Sequence, residues 1–345
     1  MTVRTLIAAL SLAAAFPLAA QTAAPARGAV TTAEVRRILT TLADDSMEGR
    51  RTLTAGEIRA ARFIAAEFQA LGLEPLGGDS AYYQWVPLVP VRRRNGAMGM
   101  GLPAPGVLDT IARDQVRYGR NVLALLPGTD PALKDEVILV DAHFDHLGYG
   151  RPVNGDSLYN GADDDASGVT AVLAVARAMA QGPRPRRSII FAAFTGEEMG
   201  LLGSRWFTQH PTLPLERIKA NLEIEMIGRP DSLAGGPGKA WLTGYERSTL
   251  GDQLKAGGIA IVPDPRPDQM FFQRSDNYAL ALRGIVAHTL SSFDLHSDYH
   301  APSDDVSHVD WAHMTAVVRA TAQAVRLMAN GPTPAWHEGG RPVGN

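Results

Sequence analysis

Residues 188–194 read SIIFAAF, and the stretch TGEEMG follows at residues 195–200. A run of seven mostly apolar residues with polar neighbours is typical of a buried β-strand. Similar runs alternate along the chain with segments of helical periodicity. We predict strands at 121–126, 136–142, 188–194, 218–225, 241–243 and 284–289, and helices at 32–46, 55–71, 168–180, 200–209, 248–256 and 310–328. This alternation predicts an α/β fold with a mixed, largely parallel central sheet and helices on both faces.

The composition excludes several classes of protein. The 345 residues are 45% hydrophobic, which suits one large α/β enzyme domain. The net charge is −3, whereas a nucleic-acid-binding protein normally shows a clustered basic excess, so no nucleic-acid partner is expected. The one dense basic run, Arg92-Arg93-Arg94, is interpreted as a solvated loop. Because the chain has no cysteine, any metal must bind His, Asp or Glu.

The two ends of the chain differ from its middle. Residues 1–20 have the single Arg4, a short apolar stretch and small residues, which is the pattern of a signal peptide. A short membrane anchor is the alternative, but the stretch is short for a span, so we expect export to the periplasm or outside and no stable membrane insertion after cleavage. We predict one catalytic domain at 29–330 with an irregular insertion near 75–118, which could hold edge strands or a flap over the site, and a flexible tail at 331–345.

Acidic and histidine residues follow several of the predicted strands. His143 and Asp145 end one strand and face the same side of an extended chain, so His143 could bind a metal while Asp145 orients a neighbour. The stretch GADDDASG at 161–168 places three carboxylates before a helix. It could be a solvated capping turn, or one carboxylate could bridge two cations.

Three further positions can also be interpreted either as structural features or as parts of a reactive site. The pair Glu197-Glu198 follows the apolar strand, where one glutamate could ligate a metal and the other act as a general base, unless both merely favour a helix N-terminus. Glu223 and Glu225 lie on one side of a strand that could instead have one wet face. His300 lies in a loop beside Tyr299, whose hydroxyl could donate to an oxyanion.

The joint position of these residues is more informative than any one of them. Ligand sites in α/β sheets lie at the carboxyl ends of the strands, where all five groups could meet. Two histidines and three or four carboxylates can supply three ligands to each of two zinc ions if one carboxylate bridges them. The sequence therefore predicts a two-metal site at one edge of the sheet.

With these motifs in view, the chain resembles peptidase family M28, whose members include secreted aminopeptidases with a two-zinc site. The resemblance covers about residues 45–328 and includes Ser46-Met-Glu-Gly-Arg50, HFD at 143–145, GADDDASG at 161–168, GEE at 196–198, Arg274-Ser-Asp-Asn277 and YHAPSD at 299–304. It implies the zinc-dependent exopeptidase fold and two Zn²⁺ ions per chain. It also implies metal ligands at His143, Asp164, Glu198, Glu225 and His300, with Asp164 bridging, and catalytic roles for Glu197 as the general base and Tyr299.

One position departs from the family pattern, which commonly has aspartate at Glu225. Glu223 points the same way and stays open as the ligand, although Met226-Ile-Gly228 aligns with the residues after the usual aspartate. The resemblance implies cleavage of the amino-terminal bond of peptides with a free amino terminus, by a metal-bridging water that Glu197 activates. A carboxypeptidase or amide deacylase of the same fold, or a non-catalytic binding module, is the alternative. A serine hydrolase is disfavoured because Ser167 and Ser291 lie in no G-x-S-x-G motif.

Overall fold

The computed structural model describes residues 27–78, 81–93 and 96–343. The signal peptide predicted at residues 1–20 lies outside this part of the chain. Within the described residues, no helix combines the length and the apolar character that a membrane span requires.

In the described part of the chain, seven α-helices are formed by segments whose buried residues recur at helical spacing. They are α1 (Thr32–Leu42), α2 (Ala55–Ala70), α3 (Gly168–Gln181), α4 (Leu202–Gln209), α5 (Thr249–Ala256), α6 (Asn277–Ala281) and α7 (Trp311–Asn330). The longest, α7, begins where the Asp310 carboxylate accepts hydrogen bonds from the N–H groups of Ala312 and His313. It ends before Gly331, whose N–H bonds the carbonyl of Leu327.

Twelve strands are present in the described residues. They are β1 (Glu74–Pro75), β2 (Tyr83–Arg92), β3 (Met98–Gly101), β4 (Arg117–Leu126), β5 (Val137–His143), β6 (Gly148–Val153), β7 (Asp156–Tyr159), β8 (Ser188–Phe194), β9 (Ile218–Ile224), β10 (Ala240–Leu242), β11 (Ile261–Pro263) and β12 (Val286–Ser291). The main sheet has the order β11-β10-β12-β9-β5-β8-β4-β2-β3, and β6 pairs with β7 separately. Its central strands β12, β9, β5 and β8 are parallel, and β4, β2 and β3 extend it in antiparallel fashion.

Alternate residues of the central strands face two different hydrophobic cores. On β8, Ile189 and Phe191 pack in the larger core with helices α1, α2, α3 and α7, while Ile190 and Ala192 pack in a second core with α4 and α6. Side chains of neighbouring strand residues point to opposite faces, so the helices cover both sides of the sheet. The predicted fold class is confirmed: the sheet is mixed, its centre is parallel, and helices lie on both faces.

The segment near 75–118 is more regular than the sequence predicted. The long strand β2 pairs with β4 over Tyr83–Leu88, and its end forms an antiparallel hairpin with β3. Pro87 and Pro90 lie within β2, and proline inside an apolar run argues against a strand because it cannot donate to the ladder. These two prolines are why the sequence pattern indicated irregular chain.

The C-terminal segment also differs from the flexible tail predicted at 331–345. The indole Nε1 of Trp336 donates to the carbonyl of Gly284 at 3.0 Å. The N–H groups of Thr249 and Ala335 bond to the Ala335 carbonyl and the Thr249 hydroxyl, at 2.9 and 3.0 Å. The described part of this segment therefore packs against the rest of the protein, through the Trp336 side chain and through the hydrogen bonds between residues 335 and 249. The domain limits 29 and 330 stay predictions.

Candidate metal centre

The acidic and histidine positions selected from the sequence lie at the carboxyl-terminal edge of the parallel strands. His143 is the last residue of β5, the glutamates 197 and 198 follow β8, and Glu225 directly follows β9. Asp164 lies in the turn that leads into α3, and His300 lies in the loop after β12. Five segments that are far apart in sequence thus converge at one edge of the sheet, where such folds bind ligands.

The imidazole of His143 is fully buried and has a fixed orientation. Its Nδ1 lies 3.1 Å from the backbone carbonyl oxygen of Asp145. A carbonyl oxygen only accepts, so Nδ1 carries the proton and Nε2 keeps a free lone pair toward the centre of the site. The sequence analysis expected Asp145 to orient a neighbour: its carbonyl contacts the His143 ring, and its carboxylate accepts a hydrogen bond from the Glu197 N–H.

His143, Asp164 and Glu225 form a first group of donor atoms. Nε2 of His143 lies 3.2 Å from Oδ1 of Asp164 and 3.9 Å from Oε1 of Glu225. Their ligand atoms are close enough together to hold one metal ion. Glu223, the alternative to Glu225, is fully buried away from this group, where Oε1 accepts a hydrogen bond from the Ser275 hydroxyl at 2.8 Å.

Asp164, Glu198 and His300 form a second group, together with a residue that the sequence analysis did not select. Nε2 of His300 lies 3.2 Å from Oδ2 of Asp164 and 3.1 Å from Oε2 of Glu198. The additional residue is His146, whose Nδ1 lies 2.9 Å from Oε1 of Glu198 and 3.8 Å from Oδ2 of Asp164. His146, Asp164 and Glu198 could also hold a metal ion by the spacing of their ligand atoms.

Several of these donor atoms are close together without being hydrogen-bonded. In the described part of the chain, Nε2 of His143, Nδ1 of His146 and Oε1 of Glu198 are buried and have no hydrogen-bond partner. Leaving such atoms unpaired costs free energy unless a cation satisfies them. Ligands about 2 Å from a tetrahedral zinc ion lie about 3.3 Å from one another, which resembles the 2.9–3.2 Å separations here. The donor set therefore fits zinc.

The three consecutive aspartates have different surroundings. Asp163 accepts a hydrogen bond from the Gly228 N–H at 2.6 Å, and Asp165 accepts one from the Met226 N–H at 3.0 Å. Both therefore bind this turn to the chain that leaves β9. Only the carboxylate of Asp164 has both oxygens close to the histidines of the candidate centre, which separates it from an ordinary capping turn.

Glu197 is held by the residue that follows the β5 strand end. Its backbone N–H donates to Oδ1 of Asp145 at 3.1 Å, and Oδ2 of Asp145 accepts from the Thr52 hydroxyl at 2.9 Å. Desolvation, together with the charges of Glu225 and Asp276, raises the pKa of the Glu197 carboxyl well above its usual range. A carboxylate with a raised pKa is a better proton acceptor than an exposed one.

The crowded acidic groups of the cluster favour protonation and the binding of cations. Desolvation raises the pKa of Glu225 to about 7, with a further contribution from the charge of Asp164. Although burial opposes protonation of His300, its contacts with Asp164 and Glu198 raise the pKa of this imidazole to about 10. The crowded carboxylates thus attract cations, and divalent ions would relieve their mutual repulsion.

Tyr299 is in contact with the second donor group through its ring. It stacks on His300 with ring centroids 3.9 Å apart, and it lines a recess together with Glu197 and Glu225. Desolvation and the neighbouring carboxylates raise the pKa of the Tyr299 phenol, so its hydroxyl keeps its proton and stays a hydrogen-bond donor. The recess is also lined by three aromatic residues, Trp241, Phe271 and Phe293, and by Arg274, whose guanidinium lies 4.9 Å from the centroid of the Phe271 ring.

Arg50, from the Ser46–Arg50 stretch noted in the sequence, hydrogen-bonds to the backbone of the segments that contain the donor residues. Its fully buried guanidinium donates to the carbonyls of Phe144 and Leu42 at 2.8 Å, of Asn160 at 2.6 Å and of Gly161 at 2.8 Å. The side chain therefore joins the loop after His143 to the turn that contains Asp164. The role of the arginine could not be read from the sequence because its acceptors are backbone atoms, and three of the four lie 94–111 residues away.

A family model supplies the identification. The model described as peptidase family M28 matches residues 121–325, which are more than half of the chain. The chain belongs to peptidase family M28. The matched range contains all the donor residues of the M28 chain named above, and it leaves out Arg50 and the β2–β3 hairpin.

Two curated relatives of this M28 chain show how far the similarity extends. It is 27% identical to the probable leucine aminopeptidase 2 of Aspergillus fumigatus over 247 residues, which are 65% of this chain and 46% of that protein. It is 29% identical to the probable lipoprotein aminopeptidase LpqL of Mycobacterium tuberculosis over 218 residues, which are 62% of this chain and 38% of that protein. The M28 chain thus spans less than half the length of these relatives.

Solved structures resemble the M28 chain over nearly its whole described length. BSAP, a zinc aminopeptidase from Bacillus subtilis, has a TM-score of 0.65 at 15% identity, covering 87% of this chain and 96% of that one. A Porphyromonas gingivalis glutaminyl cyclase has a TM-score of 0.60 at 14% identity, covering 86% and 98%. At such low identity the likeness shows the fold, and it confirms the expected fold class.

Proposed function

We propose that this chain is a zinc aminopeptidase that removes the amino-terminal residue of peptides. In this proposal one zinc ion is held by His143, Asp164 and Glu225, and a second by Asp164, Glu198 and His300. The main support for this proposal is that the two carboxylate oxygens of Asp164 lie in different donor groups. Oδ1 of Asp164 is 3.2 Å from His143, and Oδ2 is 3.2 Å from His300.

The chemistry follows from the residues around these donor groups. Bound zinc ions supply Lewis acidity, which polarises the scissile carbonyl and makes a water molecule easier to deprotonate. Glu197 takes the proton from the attacking water as the new C–O bond forms. It then gives this proton to the leaving nitrogen as the C–N bond breaks, so that the carboxylate is regenerated. The Tyr299 hydroxyl donates a hydrogen bond to the oxygen on which negative charge develops.

The recess beside Glu197 supports an amino-terminal substrate. Glu197 lines it beside the donor groups and attracts a positively charged amino terminus, and the aromatic side chains of Trp241 and Phe271 contact an apolar substrate side chain. Arg274 also lines the recess, with its guanidinium 4.9 Å from the centroid of the Phe271 ring, so the charge of the lining does not by itself distinguish an aminopeptidase from a carboxypeptidase. The aminopeptidase function is preferred because two relatives of the chain are named as probable aminopeptidases.

A panel of aminoacyl-anilides tests this function directly. Each anilide is measured with a free amino group and with an acetylated one, before and after treatment with a chelator and after zinc is restored. We expect turnover only with the free amino group, loss of that turnover in chelator, and recovery at two equivalents of zinc. Equal rates on acetylated substrates would replace the aminopeptidase with a deacylase, and full activity in chelator would remove the metal.

We also propose that the enzyme acts outside the cytoplasm, in the periplasm or beyond the cell. The support is the signal-peptide pattern of residues 1–20. Expression with and without these residues, followed by fractionation, tests it. We expect the full chain in the exported fraction with the leader removed, and the shortened chain inside the cell.

A further inference from the structure

A second recess reaches the candidate metal centre, and two arginines line it. This groove of about 340 Å³ is also lined by the donor residues His146, Glu198 and His300. Its other lining residues include Arg51, Arg93 and Tyr149. We call it the arginine groove. It therefore places two guanidinium groups near the donor residues.

The two arginines are brought to the groove by separate parts of the fold. Arg51 follows the turn that contains Arg50, and its stem passes over Gly148, where a Cβ would lie 2.8 Å from the Cβ of Arg51. Arg93 lies at the end of β2 and folds back over Gly99 of β3, where a Cβ would lie 2.4 Å from Nε of Arg93. Side chains at either glycine would displace the arginines from these positions.

Neither guanidinium has an acidic partner in the described part of the chain. Both side chains are exposed, and neither forms an ion pair with a carboxylate among residues 27–78, 81–93 and 96–343. The acids of the groove are already engaged, since Asp145 accepts from Thr52 and Glu197, and Glu198 belongs to the donor set. Two free cationic groups in one groove are suited to a carboxylate, which binds arginine through two parallel hydrogen bonds.

We infer that the arginine groove binds a carboxylate on the leaving side of the scissile bond. The inference rests on the proposed function and names its substrate class: peptides with a negative charge soon after the cleaved bond. With the amino terminus in the recess beside Glu197, the rest of the peptide passes the metal centre and enters the groove. The charge is either the terminal carboxylate of a short peptide or the side chain of an acidic second residue.

The basic run Arg92-Arg93-Arg94 thereby acquires a function that its sequence did not suggest. Arg92 is solvated as expected, but it ends strand β2 and does not lie in a loop; it donates to the Gly96 carbonyl at 3.2 Å within its own hairpin, and Arg94 lies outside the described residues. Arg93, one residue later, lines the groove. Arg92 is therefore a matched control for Arg93, because its removal subtracts the same charge from the same hairpin.

The test compares matched dipeptides of the holoenzyme's preferred amino-terminal residue X. The free acid X-Ala is compared with X-Ala-amide, and X-Asp-amide with X-Asn-amide, in the wild-type enzyme and in Arg51→Gln, Arg93→Gln and Arg92→Gln. We expect kcat/KM to be about tenfold higher for the carboxylate member of at least one pair, mostly through KM, because one charge-assisted contact has about this effect. The ratio falls toward one in the first two variants and is unchanged in Arg92→Gln.

The outcomes separate the two sources of charge and the two proposals. An effect in the first pair assigns the terminal carboxylate, and one in the second pair assigns the acidic side chain. Equal kcat/KM values within both wild-type pairs overturn the inference while turnover still supports the proposed function. If no dipeptide is cleaved, calorimetric titration of the zinc-loaded wild type and Arg93→Gln decides the inference alone. Tighter binding of the acids by the wild type supports it, and equal binding of acids and amides overturns it.

Discussion

The backbone N–H of Glu197 donates a hydrogen bond of 3.1 Å to the carboxylate of Asp145. The two residues follow neighbouring parallel strands, β8 and β5, so this bond ties together the two strand ends that border the candidate centre. It fixes the backbone of Glu197 beside His143 and leaves its carboxylate free to act. The position of the proposed general base is therefore set by the sheet itself and by one partly buried hydrogen bond.

Replacing Glu197 with glutamine separates metal binding from proton transfer. The amide has the size of the carboxylate but cannot accept a proton, so we expect Glu197→Gln to keep two zinc ions and to lose activity by roughly 10²–10⁴-fold. Metal analysis of the dialysed protein and anilide turnover are the two measurements. Glu246→Gln is the control, because that carboxylate is on the surface with 77% of its side chain exposed. Undiminished turnover in Glu197→Gln would exclude this residue as the base.

His146 was not selected from the sequence, yet it is in contact with Glu198. Its imidazole is 1% exposed, and Nδ1 is 2.9 Å from a carboxylate oxygen of that residue. We expect His146→Ala to weaken one of the two zinc equivalents by roughly 10–100-fold, the size of effect seen when a neighbour that orients a ligand is lost. Competition with a chromophoric chelator measures both equivalents.

The control for this variant is His337→Ala, which removes a histidine that is remote from the centre and 41% exposed. Both zinc equivalents should bind this control as they bind the wild type. Unaltered zinc affinity in His146→Ala would mean that the close approach to Glu198 has no part in metal binding.

The strands and the candidate ligands were predictable because their signals are local. The strand 188–194 agrees with the structure at both ends, since its seven residues form an uninterrupted apolar run between polar neighbours. His143, Glu197 and Glu225 each lie at the end of such a run or within three residues of it, and strand ends of a parallel sheet meet at one edge. Local pattern and one rule of topology were therefore enough to bring these residues together.

The residues that were missed depend on partners that no local pattern contains. Arg50 binds backbone carbonyls at Phe144 and Gly161, and every residue type has a carbonyl, so sequence cannot indicate the choice. His146 follows His143 by three residues, but its carboxylate partner Glu198 lies 52 residues later. The sequence analysis allowed edge strands at 75–118 but did not locate β2, because its prolines argue against a strand, whereas long pairing with β4 overrides this local preference.

Arg50 should be important for stability because four backbone carbonyls depend on it. Lysine retains the charge but cannot reach acceptors in three segments, so several buried carbonyls are left without donors. We expect Arg50→Lys to lower the free energy of unfolding by about 3 kcal/mol or more, measured by urea denaturation. Arg184→Lys is the control, since Arg184 is exposed and, among the residues that the structure describes, its side chain donates only to the Pro127 carbonyl. It should change stability by less than about 0.5 kcal/mol.

A second measurement on the same variant concerns the metal centre. The acceptors of Arg50 lie in the loops that contain His143 and Asp164, so the variant should also bind zinc more weakly than Arg184→Lys does. An Arg50→Lys protein with wild-type stability and wild-type zinc affinity would show that the buried guanidinium does not hold these loops.

His288 gives the fold a dependence on pH that is separate from the metal centre. Its ring is buried, Nδ1 is 2.7 Å from the Thr243 carbonyl, and Nε2 is 2.7 Å from the Ser248 hydroxyl. Because Nδ1 must donate to the carbonyl, Nε2 of the neutral ring accepts from the hydroxyl. Burial lowers the pKa of His288 to about 4 in the folded protein, against about 6.5 in an unfolded chain.

The sign of the effect on stability follows from these two values. Between about pH 6.5 and pH 4 the unfolded chain binds a proton at this position that the folded protein does not, so acidification favours unfolding. The contribution of His288 is complete above pH 6.5 and falls by up to about 3 kcal/mol as the pH approaches 4. We expect His288→Asn to be less stable than the wild type at pH 7.5 but to lose less stability on acidification. Urea denaturation of both proteins over this pH range measures how steeply each free energy of unfolding depends on pH. A chelator is present throughout, so that metal release does not contribute. Parallel pH profiles would show that the imidazole is not held neutral in the folded protein.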